Sequence, residues 1–288
     1  MRLSPHRVYM LAADHRWQWE EFCDQRSLLR ERIGDVKRLA CDGFLLARER
    51  SDAAREFGAL LIDEQYSSAL IAGALKAGLN VGTPAEKAGA VPLAWAAQPF
   101  SAALTGAFVK VLARYRPDDE AAVRAEQWAK LEALQAWCHA AGKPFVLEVL
   151  VARKHEPEDE FEALGRPAML AAFIAEAYRR GLTPEFWKIE GTLAPQGARA
   201  IDAAIAANPA CRQIILGKAA DLATIDRWFA ACAASATASG FAIGRSVFWE
   251  PSAAFLEETM TAGDAAAAIA DTYLKLIDAW EASRKSEV

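Results

Sequence analysis

The chain has 288 residues, 53% of them hydrophobic and many of those alanine, which supplies a sizeable core and favours helices over an all-β architecture. A net charge of −5, a pI near 5.6 and the lack of a long basic run argue against nucleic acid or an anionic membrane as partner. No apolar stretch approaches the roughly 20 residues of a membrane span. The apolar patch at residues 8–13 lacks a cleavage-site pattern, and five scattered cysteines without CxxC spacing read as reduced thiols in a cytoplasmic protein.

Short β-rich runs alternate with helical segments along the chain. Residues 7–13 form the first strand candidate, followed by helical stretches at 17–32 and 35–50. A second strand at 58–62 leads to a helix over 68–77. A weaker third strand at 78–82 opens onto residues 83–99, an irregular stretch with three prolines and no helix period. The fourth strand covers 107–112, and Pro117-Asp118-Asp119 caps a helix running to 141. Gly142-Lys143-Pro144 stops that helix before the fifth strand, 145–151. A helix at 167–180 precedes Phe186-Trp187-Lys188-Ile189-Glu190, the sixth strand. Residues 196–207 form a helix, and 213–216 is the seventh strand, ending in Gly217-Lys218. After a helix at 221–234 comes the eighth, 240–245. Glu250-Pro251 opens a short helix, and 264–283 closes the chain with one apolar stripe, Ile269, Tyr273, Leu276, Ile277 and Trp280. Eight strands alternating with helices predict one (β/α)₈ TIM barrel spanning residues 1–288. The competing doubly wound sheet lacks a Gly-rich fingerprint after its first strand.

In such barrels reactive groups gather where strands end. Asp14 and Arg16 follow strand one, Asp63 follows strand two, and Lys110, Glu148 and Lys188 lie in strands four, five and six. One charge there is compatible with an ion-paired barrel interior, but six around one rim are an expensive way to build a core. Gly217-Lys218 and Gly244-Arg245 end the last two strands, where phosphate sites recur in this fold. The glycines let backbone N–H groups approach an anion, and Arg245 suits bidentate contact. Only four histidines exist, and of these His15 alone is well placed, so a His-rich zinc site is not expected; Asp14, Asp63 and Glu148 leave a magnesium site open. A buried lysine beside a carboxylate and a phosphate site points to Schiff-base chemistry without a cofactor. Lys188 attacks a carbonyl only as the free amine, a form that burial and a second cation such as Lys110 both favour. Glu148, one strand away, can take the proton of the hydroxyl that becomes the leaving aldehyde.

Ala12-Ala13-Asp14-His15-Arg16, Leu60-Leu61-Ile62-Asp63-Glu64, Val109-Lys110, Leu147-Glu148, Trp187-Lys188-Ile189-Glu190 and above all the run from Ile243 through Gly244-Arg245-Ser246-Val247-Phe248-Trp249-Glu250 to Pro251 resemble class I aldolases of the tagatose-1,6-bisphosphate aldolase type. That group includes sulfofructosephosphate aldolase. The closest likeness is the 2-deoxy-5-keto-gluconate 6-phosphate aldolase domain found fused to 5-dehydro-2-deoxygluconokinase in inositol catabolism. The resemblance implies Lys188 as imine lysine, Glu148 as acid/base, Asp14 and Lys110 in the substrate pocket and Arg245 on phosphate. Its implied reaction yields dihydroxyacetone phosphate and malonate semialdehyde, with Arg16 for the substrate carboxylate. His15 replaces the Gln of the tagatose enzymes, which favours the inositol branch. Competing expectations are a non-catalytic sugar-phosphate-binding barrel and a magnesium-assisted lyase. Trp17, Trp19 and Trp95 could line the interface of a homo-oligomer or cap the barrel.

Overall fold

The computed structural model describes residues 3–285. Eight parallel strands close into a barrel in sequence order, β1 pairing with both β2 and β8. β1 (Val8–Ala12) is followed by α1 (Trp17–Gln25), α2 (Ile33–Arg50) and α3 (Asp52–Phe57), and β2 (Gly58–Leu61) by α4 (Glu64–Lys76). β3 (Val81–Pro84) leads to a short α5 (Phe100–Ala103), and β4 (Phe108–Arg114) to α6 (Ala121–Ala140). β5 (Phe145–Leu150) is followed by α7 (Glu158–Glu160), a π-helical turn Phe161–Gly165 and α8 (Arg166–Arg179). β6 (Phe186–Glu190), α9 (Pro195–Ala206), β7 (Arg212–Leu216), α10 (Leu222–Ala231), β8 (Ala238–Ile243), α11 (Arg245–Leu256) and α12 (Ala262–Lys285) complete the order. This is the (β/α)₈ TIM barrel expected from the alternation of elements. Among the described residues no helix is long and apolar enough to cross a membrane.

Several boundaries differ from the sequence reading for local reasons. The third strand starts at Val81 rather than 78, because Gly78 at φ +75° closes the helix before it. α3 was not expected; Ser51 caps it by accepting from the Ala54 N–H. The helix after β4 starts at Ala121, since Asp118 and Asp119 are engaged by Arg116 instead of capping. The most consequential difference is α11. It begins at Arg245, with Pro251 inside it, rather than opening at Glu250.

Strand alternation separates two kinds of packing. Val8, Met10, Ala12, Ala59, Leu61, Phe108, Val146, Phe186, Ile214 and Ala242 point inward and fill the lower barrel. Their outward neighbours, such as Leu11, Leu60, Val109, Leu147, Trp187 and Ile243, pack under the helices. Two residues above Phe108, Val146 and Phe186 the same inward period reaches Lys110, Glu148 and Lys188. The barrel interior therefore changes from apolar to ionic at one level.

Candidate active site

β5 and β6 put Glu148 directly opposite Lys188 in register. The Lys188 Nζ donates to Glu148 Oε2 at 3.0 Å, and the lysine is only 4% exposed. The same Oε2 lies 2.7 Å from Lys110 Nζ. Lys110 also reaches Asp14 Oδ2 at 3.0 Å and Glu86 Oε1 at 2.9 Å, so three carboxylates surround one ammonium. Burial works against that charge, but Asp14, Glu148 and Glu86 outweigh it and hold the Lys110 ammonium well above its usual range. Burial likewise opposes ionisation of Asp14 and Glu148, yet Lys110 and Lys188 hold both carboxyls below the ordinary carboxylate range.

These groups line a cavity of about 250 Å³ at the C-terminal mouth of the barrel, together with His15, Arg16, Glu86, Gly217, Lys218, Gly244 and Arg245. The Arg16 Nη2 donates to the Glu86 backbone carbonyl at 2.8 Å, while its buried Nε has no partner. Arg245 Nε is buried and unpartnered too, and burial lowers its guanidinium pKa. Arg245 opens α11 directly after Gly244, and both residues line the cavity, so the N-terminus of a twelve-residue helix begins at this end of it. Lys218 and Ala219 both take positive φ, 46° and 62°, and turn the β7 loop beside it. A Cβ on Gly244 would sit 1.9 Å from the Ala12 carbonyl oxygen, so only glycine allows β8 to hand over to α11 here. Lys218 Nζ pairs with Glu190 Oε2 at 2.8 Å.

Asp63 departs from the expected set. Strand alternation would turn it inward, but the chain bends into α4 at this point. Its Oδ1 accepts the Tyr66 N–H as the helix cap, and its Oδ2 meets Lys37 at 2.7 Å in a fully sealed pair. It does not line the cavity. A magnesium site using Asp14, Asp63 and Glu148 lacks one corner for that reason, and among the described residues no His, Cys, Asp and Glu side chains converge as ligands. Trp19 is likewise no surface residue: it is fully buried and stacked on Trp249 at 4.0 Å, whereas Trp17 is 46% exposed.

Glu86 was missed in the sequence. It is the sole acidic residue of the irregular stretch 83–99. The signal was available as inward period two from Gly82 through Pro84. The stretch folds back on itself: Lys87 N–H reaches the Ala94 carbonyl at 2.7 Å, and Ala96 N–H reaches that of Ala85 at 2.9 Å. A Glu86–Trp95 antiparallel bridge joins its two arms.

A family model described as "Uncharacterized protein conserved in bacteria (DUF2090)" matches residues 1–284. The chain belongs to this family. No curated protein matches the DUF2090 chain. Its fold is similar to that of fructose-bisphosphate aldolase from Plasmodium falciparum, solved with TRAP and a small-molecule inhibitor (TM-score 0.69, 11% identity, 97% of this chain and 91% of that one). It is also similar to an archaeal fructose 1,6-bisphosphate aldolase (0.57, 14%, 93% and 94%). A Schiff-base-forming fructose-1,6-bisphosphate aldolase gives 0.54 at 14% identity over 93% and 94%. At such identities the likeness shows that the DUF2090 chain shares their barrel fold.

Proposed function

We propose that the chain is a class I aldolase acting on a phosphorylated keto substrate, with residues 1–288 working as one catalytic unit. The observation that carries this reading is the buried Lys188 amine 3.0 Å from Glu148 at the floor of a cation-rimmed cavity. The shared barrel of the fructose-bisphosphate aldolases supports it.

The chemistry follows from the contacts. The free amine of Lys188 adds to the substrate ketone, and the carbinolamine loses water with Glu148 as proton donor. The iminium draws in the electron pair of the adjacent carbon–carbon bond. Glu148, returned to its carboxylate, takes the proton of the β-hydroxyl as that carbon leaves as an aldehyde. Protonation of the enamine and hydrolysis of the imine restore the amine. Lys110, fixed by Asp14, Glu86 and Glu148, keeps a positive charge beside the reacting oxygens. The phosphate sits where α11 begins, on the backbone of Gly217 and Gly244 with Arg245 and Lys218 as cations.

In its specific form the substrate is 2-deoxy-5-keto-gluconate 6-phosphate. Lys188 condenses with C5, Glu148 deprotonates the C3 hydroxyl, and the C3–C4 bond breaks to dihydroxyacetone phosphate and malonate semialdehyde. The buried, unpartnered Nε of Arg16 is available to the substrate carboxylate. A cytoplasmic setting belongs to the same reading; all five cysteines are buried free thiols.

Borohydride reduction in the presence of dihydroxyacetone phosphate tests this directly. A mass adduct on Lys188 is expected, together with loss of at least about 10⁴-fold in turnover in Lys188→Ala. An adduct on another lysine, or none, sinks the mechanism. A screen of phosphorylated keto acids and ketohexose phosphates, read by dihydroxyacetone phosphate release, separates the inositol-type substrate from the tagatose-bisphosphate and sulfofructosephosphate types.

A further inference from the structure

Beyond the reaction cavity, across the mouth from Arg245, lies a second chamber of about 510 Å³. The two share Arg114, Leu150 and Lys218 in their walls, so the second opens from the first between β4, β5 and β7. One wall is the far end of the same folded-back stretch that carries Glu86: Val91, Pro92 and Leu93 face Val151 across the chamber. Val91 is 64% exposed, an apolar side chain at the mouth with no packing duty in the barrel. Its cations are mostly committed. Arg116 is held by Asp118 and Glu156, Lys154 by Asp118 and Asp119, and Lys218 by Glu190. Arg114, at the threshold between the two spaces, has no ion pair among the described residues.

Malonate semialdehyde is a three-carbon fragment, and cleavage that ends at Arg16 leaves this chamber unused. A space of this size takes a body well beyond the roughly 150 Å³ that holds a benzene ring. Val91, Pro92, Leu93, Leu150 and Val151 on its walls, with the guanidinium of Arg114 at the threshold, suit a hydrocarbon chain ending in an acid.

We propose that this chamber is a subsite for the aldehyde half of the substrate, and that the enzyme also joins dihydroxyacetone phosphate to aldehydes with an apolar body and a terminal carboxylate that pairs with Arg114. The proposal rests on the Schiff-base reading of Lys188. The enamine carbon of dihydroxyacetone phosphate bonds to the aldehyde carbon, and the aldehyde oxygen takes the proton that Glu148 removed when the enamine formed. The water lost in making the imine is returned in its hydrolysis, so the two reactants add with nothing left over.

The test compares 6-oxohexanoate with hexanal, equal in length and intrinsic reactivity, as partners for dihydroxyacetone phosphate, with products read by mass spectrometry. The wild-type protein is expected to favour 6-oxohexanoate about tenfold or more in kcat/KM. Arg114→Gln is expected to erase that preference and Val91→Glu to reverse it. Equal use of both aldehydes by the wild-type protein, or a preference that survives in Arg114→Gln, overturns the proposal. Borohydride trapping of dihydroxyacetone phosphate on the same preparations separates the two levels. An adduct on Lys188 without an aldehyde preference removes the chamber alone, and no adduct removes the Schiff-base reading and the chamber with it.

Discussion

Lys37 and Lys110 are both buried, both ion-paired to an aspartate that follows a strand, and yet belong to different kinds of site. Lys37 comes from α2, outside the barrel. Its Nζ donates to the Ala13 and His15 carbonyls at 2.6 Å each and lies 2.7 Å from Asp63 Oδ2, in an ion pair fully sealed from solvent. Burial pushes the ammonium down although Asp63 opposes it. Lys110 comes from inside the barrel, meets three carboxylates rather than one, and borders open space. Burial and pairing are thus shared by both clusters. What distinguishes a reactive cluster is an excess of charge facing a cavity, where a ligand can complete what the protein leaves open.

Substitutions in the two clusters are expected to separate chemistry from stability. Glu148→Gln preserves shape but removes the group that gives and takes the proton, so turnover should fall by about 10²–10⁴-fold, while the borohydride adduct on Lys188 still forms but more slowly. Retained turnover with a trapped imine would assign the proton step to another group, with Asp14 next in line. Lys37→Met leaves Asp63 buried and unpaired, at a cost of about 3–5 kcal/mol in urea unfolding at neutral pH. A loss below about 1 kcal/mol would mean that Asp63 reaches water or takes up a proton cheaply, and the sealed picture of that pair would be wrong.

The contrast also explains what the chain disclosed in advance. The barrel was legible because alternation of β-rich runs and helices is a local pattern. Lys110, Glu148 and Lys188 were legible because a charge inside an otherwise apolar strand stands out against its neighbours. Asp63 has the same signature, a carboxylate ending a strand, but its direction was decided by capping of α4 and by Lys37 from a distant helix. Neither is written in the strand itself. Glu86 failed in the opposite way: the inward period of β3, Gly82 and Pro84, points to it, but the sequence reading ends that strand at 82, and the backbone pairing between residues 85 and 96 that carries the period on joins two parts of a proline-broken stretch. The start of α11 was hidden because Pro251 reads as a helix opener, whereas it lies within the helix that Arg245 begins.

Glu86 gives a smaller and sharper probe of the charged cluster. Its Oε1 accepts from Lys110 at 2.9 Å and its Oε2 from the Leu112 N–H at 3.2 Å. Glu86→Gln has one amide oxygen for these two donors, and its NH₂ must face one of them. A loss of about 1–3 kcal/mol in stability is expected from the unsatisfied buried donor. A drop in turnover should accompany it, as Lys110 loses one of the three groups that orient it. Arg16 loses its ion pair with Glu86 Oε1 at 3.7 Å but keeps its hydrogen bond to the Glu86 backbone carbonyl, which should hold it near its place. Full turnover in a folded Glu86→Gln protein would show that Asp14 and Glu148 orient Lys110 unaided.

His15 joins the two clusters, its carbonyl accepting from Lys37 and its ring lining the reaction cavity. Nδ1 is sealed from solvent and unpartnered. Burial pushes the imidazole down to about 3; Asp14 opposes this, while Arg245, Lys37 and Lys188 act with burial. The folded pKa lies below the unfolded value of about 6.5, so between those two values the unfolded chain binds more protons. Stability contributed by the neutral ring therefore falls as pH drops through that window, by about 2 kcal/mol at pH 5. Asp14 behaves in the other range: its depressed pKa keeps its contribution intact above about 4 and loses it only below. His15→Gln removes the first effect and leaves the second. Urea midpoints of the variant and the parent should converge between pH 7 and 5, the variant starting lower for lost packing against Phe248 and declining less steeply. Parallel curves across that range would mean that the ring takes up its proton as readily in the folded protein as in the unfolded chain. The cations around it would then be screened by water, and the dryness on which the Lys188 chemistry depends would be absent.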